Sequence, residues 1–257
     1  MADKLSESYW TSLLSKTPAI LSSPAPAPVP LPANIAQTID HTLLAPAATT
    51  DQIANVCEQA KTHGFYSVCV NSSHAKQVAA SGAKACVVVG FPLGAMSTEG
   101  KEFETKTAIS HGATEIDTVL AVGLLKSREY VRVYRDIAAV VSTAAPYPVK
   151  VIIETALLTD EEKVAACLIS AEAGAAFVKT CTGFSGGAAT TGDVALMRNA
   201  VEGYAWKGHG WDGRIRVKAS AGVRTAESAK RMLEAGADRI GTSSGVAIME
   251  GGKGEGY

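Results

Sequence analysis

The stretch GAAFVKTCTGF (174–184) carries the pattern that decides the fold. Gly174 can take the left-handed backbone that ends a helix without a Cβ clash. The run AFVK (176–179) follows at once, short and apolar as in a strand buried on both faces. Lys179 closes the run, and Thr182-Gly183 opens a loop of small residues. The same design recurs in both directions along the chain. Gly64-Phe65, Gly82-Ala83, Gly112-Ala113 and Gly236-Ala237 each stand just ahead of another apolar run. The runs are AQTID (36–40), YSVCV (66–70), ACVVV (85–89), EIDTV (115–119), VKVII (149–153), AFVK (176–179), RIRVK (214–218) and RIG (239–241).

Ala-rich segments of helical length separate these runs. One of them, roughly 126–144, spaces Tyr130, Val133, Tyr134, Ile137 and Val141 at three and four residues. Strands alternating with helices imply a parallel sheet covered by helices. Eight units over about 215 residues match an α/β fold closed as a (β/α)8 TIM-type barrel, with an open doubly wound sheet as the alternative. Residues 1–33 stand apart as an N-terminal arm and Pro-rich linker, with a short helix at 5–15 and an extended 24–32. The barrel then occupies 34–250, and the glycine-rich 251–257 reads as a flexible C-terminal tail.

The 257 residues are 47% hydrophobic and 19% charged, a globular composition that argues against disorder. A net charge of −1 gives no footprint for nucleic acid or an anionic membrane. No run reaches the roughly 18 apolar residues of a membrane span. Asp3 and Glu7 spoil a signal peptide, and the N-terminal segment lacks the arginines of a transit peptide. Five scattered cysteines (57, 69, 86, 167 and 181) suit a reducing compartment, so a cytoplasmic protein is expected.

In either α/β arrangement the chemistry sits at the carboxyl ends of the strands. Asp40 ends the first run, Cys69 and Asn71 the second, Glu154 the fifth, Lys179 the sixth and Lys218 the seventh; Asp117 lies within the fourth. Two ammoniums roughly 5–6 Å apart repel by about 3 kcal/mol at an effective dielectric near 20, enough to lower one lysine pKa. The neutral amine so formed is a nucleophile for a carbonyl. A bland alternative pairs each lysine with its own carboxylate, such as Glu154. Asp117 needs a partner in its apolar strand, and Lys179 or Lys218 would serve. Asp40 could equally cap a helix or join a loop salt bridge. Three small-residue loops, TGFSGG (182–187), ASAG (219–222) and GTSSG (241–245), suggest a phosphorylated substrate, against ordinary capping by Ser243 or Ser244.

Other matches fail on context. GHGWDG (208–213) precedes a strand, so it is not a dinucleotide fingerprint. GFSGG (183–187) mimics a nucleophile elbow, but His209 is the only histidine after it, and it falls in a loop. No zinc spacing occurs. His41, His63, His74 and His111 sit near turns or helix ends, where surface or capping roles are the default.

DHTLL (40–44), SVCVNSSH (67–74), GFPLGA (90–95), TEGKEFETK (98–106), GATEIDTV (112–119), KVIIET (150–155), FVKTCTGF (177–184), VKASAGVRT (217–225) and RIGTSSG (239–245) together resemble the deoxyribose-phosphate aldolase family, in order over about 38–250. The resemblance implies a class I aldolase without metal or other cofactor. Its substrates would be a small phosphosugar and acetaldehyde: it would interconvert 2-deoxy-D-ribose 5-phosphate with D-glyceraldehyde 3-phosphate and acetaldehyde. By resemblance, Lys179 forms the Schiff base, Lys218 is its pKa-lowering neighbour, Asp117 serves proton transfer and Asp40 supports the polar network. Cys69 and Thr182 fall near the substrate, and Gly183, Gly222, Ser243 and Ser244 at the phosphate. Tyr257 is a candidate proton relay, as some family members use a mobile C-terminal tyrosine. A homodimer is the matching expectation for assembly. Ala221 departs from the glycine usual in the family, and a methyl there could crowd the phosphate or impose strain at positive φ. Another Schiff-base barrel lyase, or a degenerate barrel that only binds phosphosugars, are the competing readings.

Overall fold

The computed structural model describes residues 4–208 and 211–254. Eight parallel strands close a barrel: β1 (Ile39–Leu43), β2 (Ser67–Val70), β3 (Ala85–Val89), β4 (Ala113–Val119), β5 (Val149–Ile152), β6 (Phe177–Lys179), β9 (Arg216–Ser220) and β10 (Arg239–Thr242). Each pairs with its neighbour in sequence, and β10 returns to β1. An antiparallel hairpin, β7 (Ala205–Gly208) and β8 (Trp211–Arg214), is inserted between β6 and β9. It was not anticipated, because a two-stranded ribbon outside the barrel carries none of the continuous apolar pattern of a buried strand.

The glycines ahead of the strands behave as the repeat implies. Gly64, Gly82, Gly112, Gly174 and Gly236 all hold φ between 68° and 109°. Threonine capping boxes start three of the helices: Thr49 with Gln52, Thr159 with Glu162 and Thr225 with Ser228. The core lies between barrel and helices, with Val68, Ile116, Val151, Val178, Val217 and Ile240 fully buried.

Two strand boundaries shift. Residues 35–38 form a 3-10 turn, and β1 begins only at Ile39, so Asp40 lies near the start of its strand rather than at its end. β9 runs to Ser220, which places Lys218 inside the strand. Runs of apolar residues do not mark where pairing begins, and neighbouring strands settle it. The helix expected over 126–144 is split into Val122–Lys126 and Tyr130–Ala144, with Arg128 between them at φ 58°.

The described part of the N-terminal arm contacts the barrel domain at several points. Helix Glu7–Leu14 buries Trp10 completely against Tyr134, ring centroids 5.4 Å apart. Lys4 Nζ reaches Glu172 at 2.8 Å. The Pro-rich stretch is held by Val29 N–H donating to Glu234 O and by Asn199 Nδ2 donating to Pro24 O.

Candidate active site

Strand alternation sends Glu115 and Asp117 of β4 to the same face, and that face is the barrel interior. Asp117 is fully buried, and its oxygens divide their partners. Oδ2 accepts from Lys179 Nζ at 2.7 Å and from Lys218 Nζ at 2.8 Å. Oδ1 accepts from Lys150 Nζ at 2.8 Å and from Cys86 Sγ at 3.1 Å. Lys218 also meets Asp40 Oδ2 at 2.6 Å, and Arg239 meets Asp40 Oδ1 at 2.7 Å. Lys150 contacts Glu115 at 2.5 Å and Asp40 at 3.7 Å. The two lysines of interest are direct register partners on adjacent strands, which is what lets one carboxylate oxygen serve both.

Burial opposes ionisation of Asp40 and Asp117, yet the surrounding cations win and hold both carboxyls below the ordinary range. Burial likewise opposes the charge on Lys218, but Asp117 and Asp40 raise its pKa. The mutual repulsion expected to depress a lysine is thus overcome at Lys218, which stays charged. A carboxylate in contact outweighs a like charge shared across that same carboxylate. Gly241 makes room for this lysine: a Cβ there would lie 2.8 Å from Lys218 Cε and 2.5 Å from Ser220 Oγ.

Two groups have spacing that a metal ion could use, Cys69–Cys86–Asp117 and Asp40–Cys86–Glu115. Their carboxylates already face Lys150, Lys218 and Arg239, so ammonium and guanidinium groups fill the cationic positions.

Above this network opens a cleft of about 180 Å³. Its walls are the loops that follow β6, β9 and β10, adjacent in the barrel, together with Thr42 and Leu44 from the end of β1. Gly183, Gly222 and Ser243 line it, and exposed Arg224 adds a positive charge at its edge. Ala221 also lines the cleft, in the left-handed region at φ 76°.

The sequence matches the profile described as DeoC/LacD family aldolase over residues 34–251. The chain belongs to this family. A deoxyribose-phosphate aldolase of Bdellovibrio bacteriovorus is 52% identical over 226 residues, 86% of this chain and 98% of that protein. One from Brevibacillus brevis is 52% identical over 230 residues, 87% of this chain and all of that protein. Among solved structures, one from Coccidioides immitis superposes with a TM-score of 0.88 at 38% identity, covering 95% of this chain and 97% of that one.

Within this aldolase, the site residues expected from sequence fall into three groups. Lys179, Lys218, Asp117 and Asp40 are brought together by direct contact. Thr182, Gly183, Gly222 and Ser243 line the cleft. Cys69 and Ser244 are buried beside these features without lining the cleft, and Ser244 forms no side-chain cap. Tyr257 and His209 lie outside the described residues.

One expectation is corrected and two alternatives are excluded. Asp40 is neither a cap nor a loop partner but sits fully buried in the ion network. Glu154 meets neither lysine: it accepts from Thr182 N–H at 3.3 Å and from the Thr182 hydroxyl. His41 is no surface group; it is buried in β1 with Nε2 2.7 Å from Gln59 Oε1. Lys150, Glu115, Arg239 and Cys86 were missed. For Lys150 and Glu115 the signal was a charge inside an apolar strand, the one that exposed Asp117, displayed by VKVII and EIDTV; Cys86 in ACVVV carries no such mark.

Proposed function

We propose that this aldolase is a class I, Schiff-base enzyme that cleaves 2-deoxy-D-ribose 5-phosphate to D-glyceraldehyde 3-phosphate and acetaldehyde, and runs the reverse addition. The observation that carries the reading is the single Asp117 oxygen shared by Lys179 and Lys218 at 2.7 and 2.8 Å. Four cations (Lys150, Lys179, Lys218 and Arg239) face three carboxylates (Asp40, Glu115 and Asp117). One positive charge is in excess. Lys179 is the cation whose proton costs the fewest ion pairs, since it has one carboxylate partner and shares it. Neutral Lys179 adds to the C1 carbonyl of the open-chain sugar, and loss of water gives an iminium. The bond between C2 and C3 breaks as the C3 hydroxyl gives up its proton, and the electron pair goes into an enamine on Lys179. Asp117 and Lys218 move protons to and from the carbinolamine and the enamine carbon. Hydrolysis releases acetaldehyde and restores the amine.

The phosphate is assigned to the cleft at Gly183, Gly222, Ser243 and Arg224. Ser244, one residue outside the lining, supports that loop by donating its backbone N–H to Thr242 Oγ1. Tyr257 is retained as a proton-relay candidate, tested by its deletion: slower methyl-proton exchange supports it, and unchanged exchange removes it. A homodimer is assigned on the resemblance alone and is checked by light scattering. Five unpaired cysteines fit a cytoplasmic location. Among the described residues, no helix is long and apolar enough to cross a membrane.

Borohydride trapping with acetaldehyde, followed by peptide mass spectrometry, tests the mechanism. The expected result is an ethyl adduct confined to Lys179 and lost in Lys179→Leu. An adduct on Lys218 reverses the two lysine roles, and no adduct in a folded sample rejects the class I mechanism.

A further inference from the structure

Two cysteines sit side by side beneath the cleft. Cys69 of β2 and Cys86 of β3 are direct register partners on adjacent parallel strands. Both are fully buried, with their thiols facing the same interior space. Their sulfurs and an Asp117 oxygen all lie within 4.8 Å of one another. Neighbouring strands stand about 4.8 Å apart, inside the range of Cα separations that a disulfide spans. The other three cysteines occupy different elements: Cys57 in helix Thr50–His63, Cys167 in helix Asp160–Glu172 and Cys181 after β6.

The surroundings make the pair unequal. The neighbouring Cys86 favours the Cys69 thiolate, and Lys218 and Lys179 favour it further, against burial and Asp117. Burial, the neighbouring Cys69 and nearby Asp117 instead keep Cys86 protonated. An oxidant-sensing pair needs this asymmetry: one thiol ready to be oxidised, and a second close by to resolve it. Access follows the substrate path. Leu44 belongs to the same buried cluster as Cys69, Cys86 and Val88 and also lines the cleft, so the pair's surroundings adjoin the space where the aldehyde enters.

We infer that Cys69 and Cys86 form a peroxide-sensitive modification site, closing a disulfide that switches off the adjoining ion network. The Cys69 thiolate attacks one oxygen of hydrogen peroxide. The S–O bond forms as the O–O bond breaks, leaving a sulfenic acid, and the displaced hydroxide takes up the proton of the original thiol as water. Cys86 sulfur then attacks Cys69 sulfur. The S–S bond forms, the S–O bond breaks, and the departing hydroxide leaves with the Cys86 proton as a second water. Two thiols lose two electrons, and one peroxide becomes two waters. A dithiol reductant reverses the reaction by exchange.

The consequence is local. Cys86 Sγ donates to Asp117 Oδ1 and accepts from Lys150 Nζ at 3.3 Å. Drawing this sulfur into a disulfide removes its donor from Asp117 and leaves Lys150 without that acceptor. The carboxylate that both active-site lysines share then loses one of its four hydrogen-bond donors, and the lysines must settle around a shifted acceptor.

The test treats the reduced full-length protein with hydrogen peroxide, alkylates the remaining thiols and maps the peptides without reduction. The expected product is a Cys69–Cys86 linked peptide, two hydrogens lighter than the separate thiols. Acetaldehyde trapping at Lys179 should fall by at least roughly tenfold and return with dithiothreitol, since small misplacements of catalytic groups have large effects on rate. Only the loss of trapping rests on the proposed activity; the peptide map decides the disulfide even if the untreated protein traps nothing. Both thiols fully alkylated after treatment would overturn the inference. So would pairing of Cys69 with Cys57, Cys167 or Cys181, or oxidation of Cys69 directly to sulfinic acid. In Cys86→Ala and Cys69→Ser, each compared with its own untreated sample, the reductant-reversible loss should vanish; its persistence in either folded variant also refutes the switch.

Discussion

Ala221 occupies a backbone conformation that suits glycine, φ 76°, on the wall of the cleft. Its Cβ is 3.6 Å from where a Cβ on Gly183 would lie, so the methyl narrows the gap between two of the loops assigned to phosphate. Strain of this kind costs about 1 kcal/mol or more. Ala221→Gly should lower KM for the phosphorylated sugar by up to about fivefold, the equivalent of ~1 kcal/mol, and raise the urea midpoint slightly. Steady-state kinetics with phosphorylated and unphosphorylated sugars would check it, and an equal change for both would move the effect away from phosphate. Lys150 is the second residue to probe. It neutralises Asp117 and Glu115 from a fully buried position, so Lys150→Met leaves two buried carboxylates short of a partner. The loss should be about 3–5 kcal/mol by chemical denaturation, with turnover reduced as well. Lys179, Lys218 and Asp117 were legible as charges in apolar runs. Lys150 carried the same signal, but its role depends on which strands flank β5 and in what register.

Among the elements, the N-terminal helix Glu7–Leu14 has the most to reveal. Its Trp10 is fully buried, with the indole N–H donating to Lys4 O at 3.0 Å. Its neighbour Tyr9 approaches Glu172, and burial together with that carboxylate pushes the phenol up to about 12. Among the described residues of the arm, none lines the cleft. Removing them should therefore lower Tm by roughly 5–10 °C while leaving KM unchanged. Calorimetry and kinetics on the shortened chain would check this, and a changed KM would tie the arm to the site. The short helix at 5–15 was legible from sequence, but its docking was not. Trp10 looks the same in sequence whether it packs on Tyr134 or frays into solvent, because the partner lies over 100 positions away.

At the scale of the whole molecule, the barrel centre is an ion network whose protonation is linked to folding. Asp40 and Asp117 have folded-state pKa values below the unfolded value of about 3.9. Their contribution is present above that pH and is lost as pH falls through the folded values. Lys150 and Lys218 are shifted upward, so theirs is complete below about 10.4 and is lost as pH rises through the folded values. The urea midpoint should hold from about pH 5 to 9 and fall on acidification below about pH 4. A midpoint that rises in acid would contradict the network.

The sequence by itself determined the eight-unit barrel, the strand ends as the place of chemistry, and the two lysines with their aspartate. Each is encoded locally, by glycine-terminated helices, apolar runs and charges where apolar residues belong. Only the tertiary structure decided that Asp40 and Lys218 meet, that Lys150 and Arg239 complete the network, that Glu154 turns to Thr182 instead, and that Cys69 faces Cys86. These pairings join strands tens to hundreds of residues apart. They follow from strand register and barrel closure, which are set by packing the whole chain at once and leave no short-range mark in the sequence.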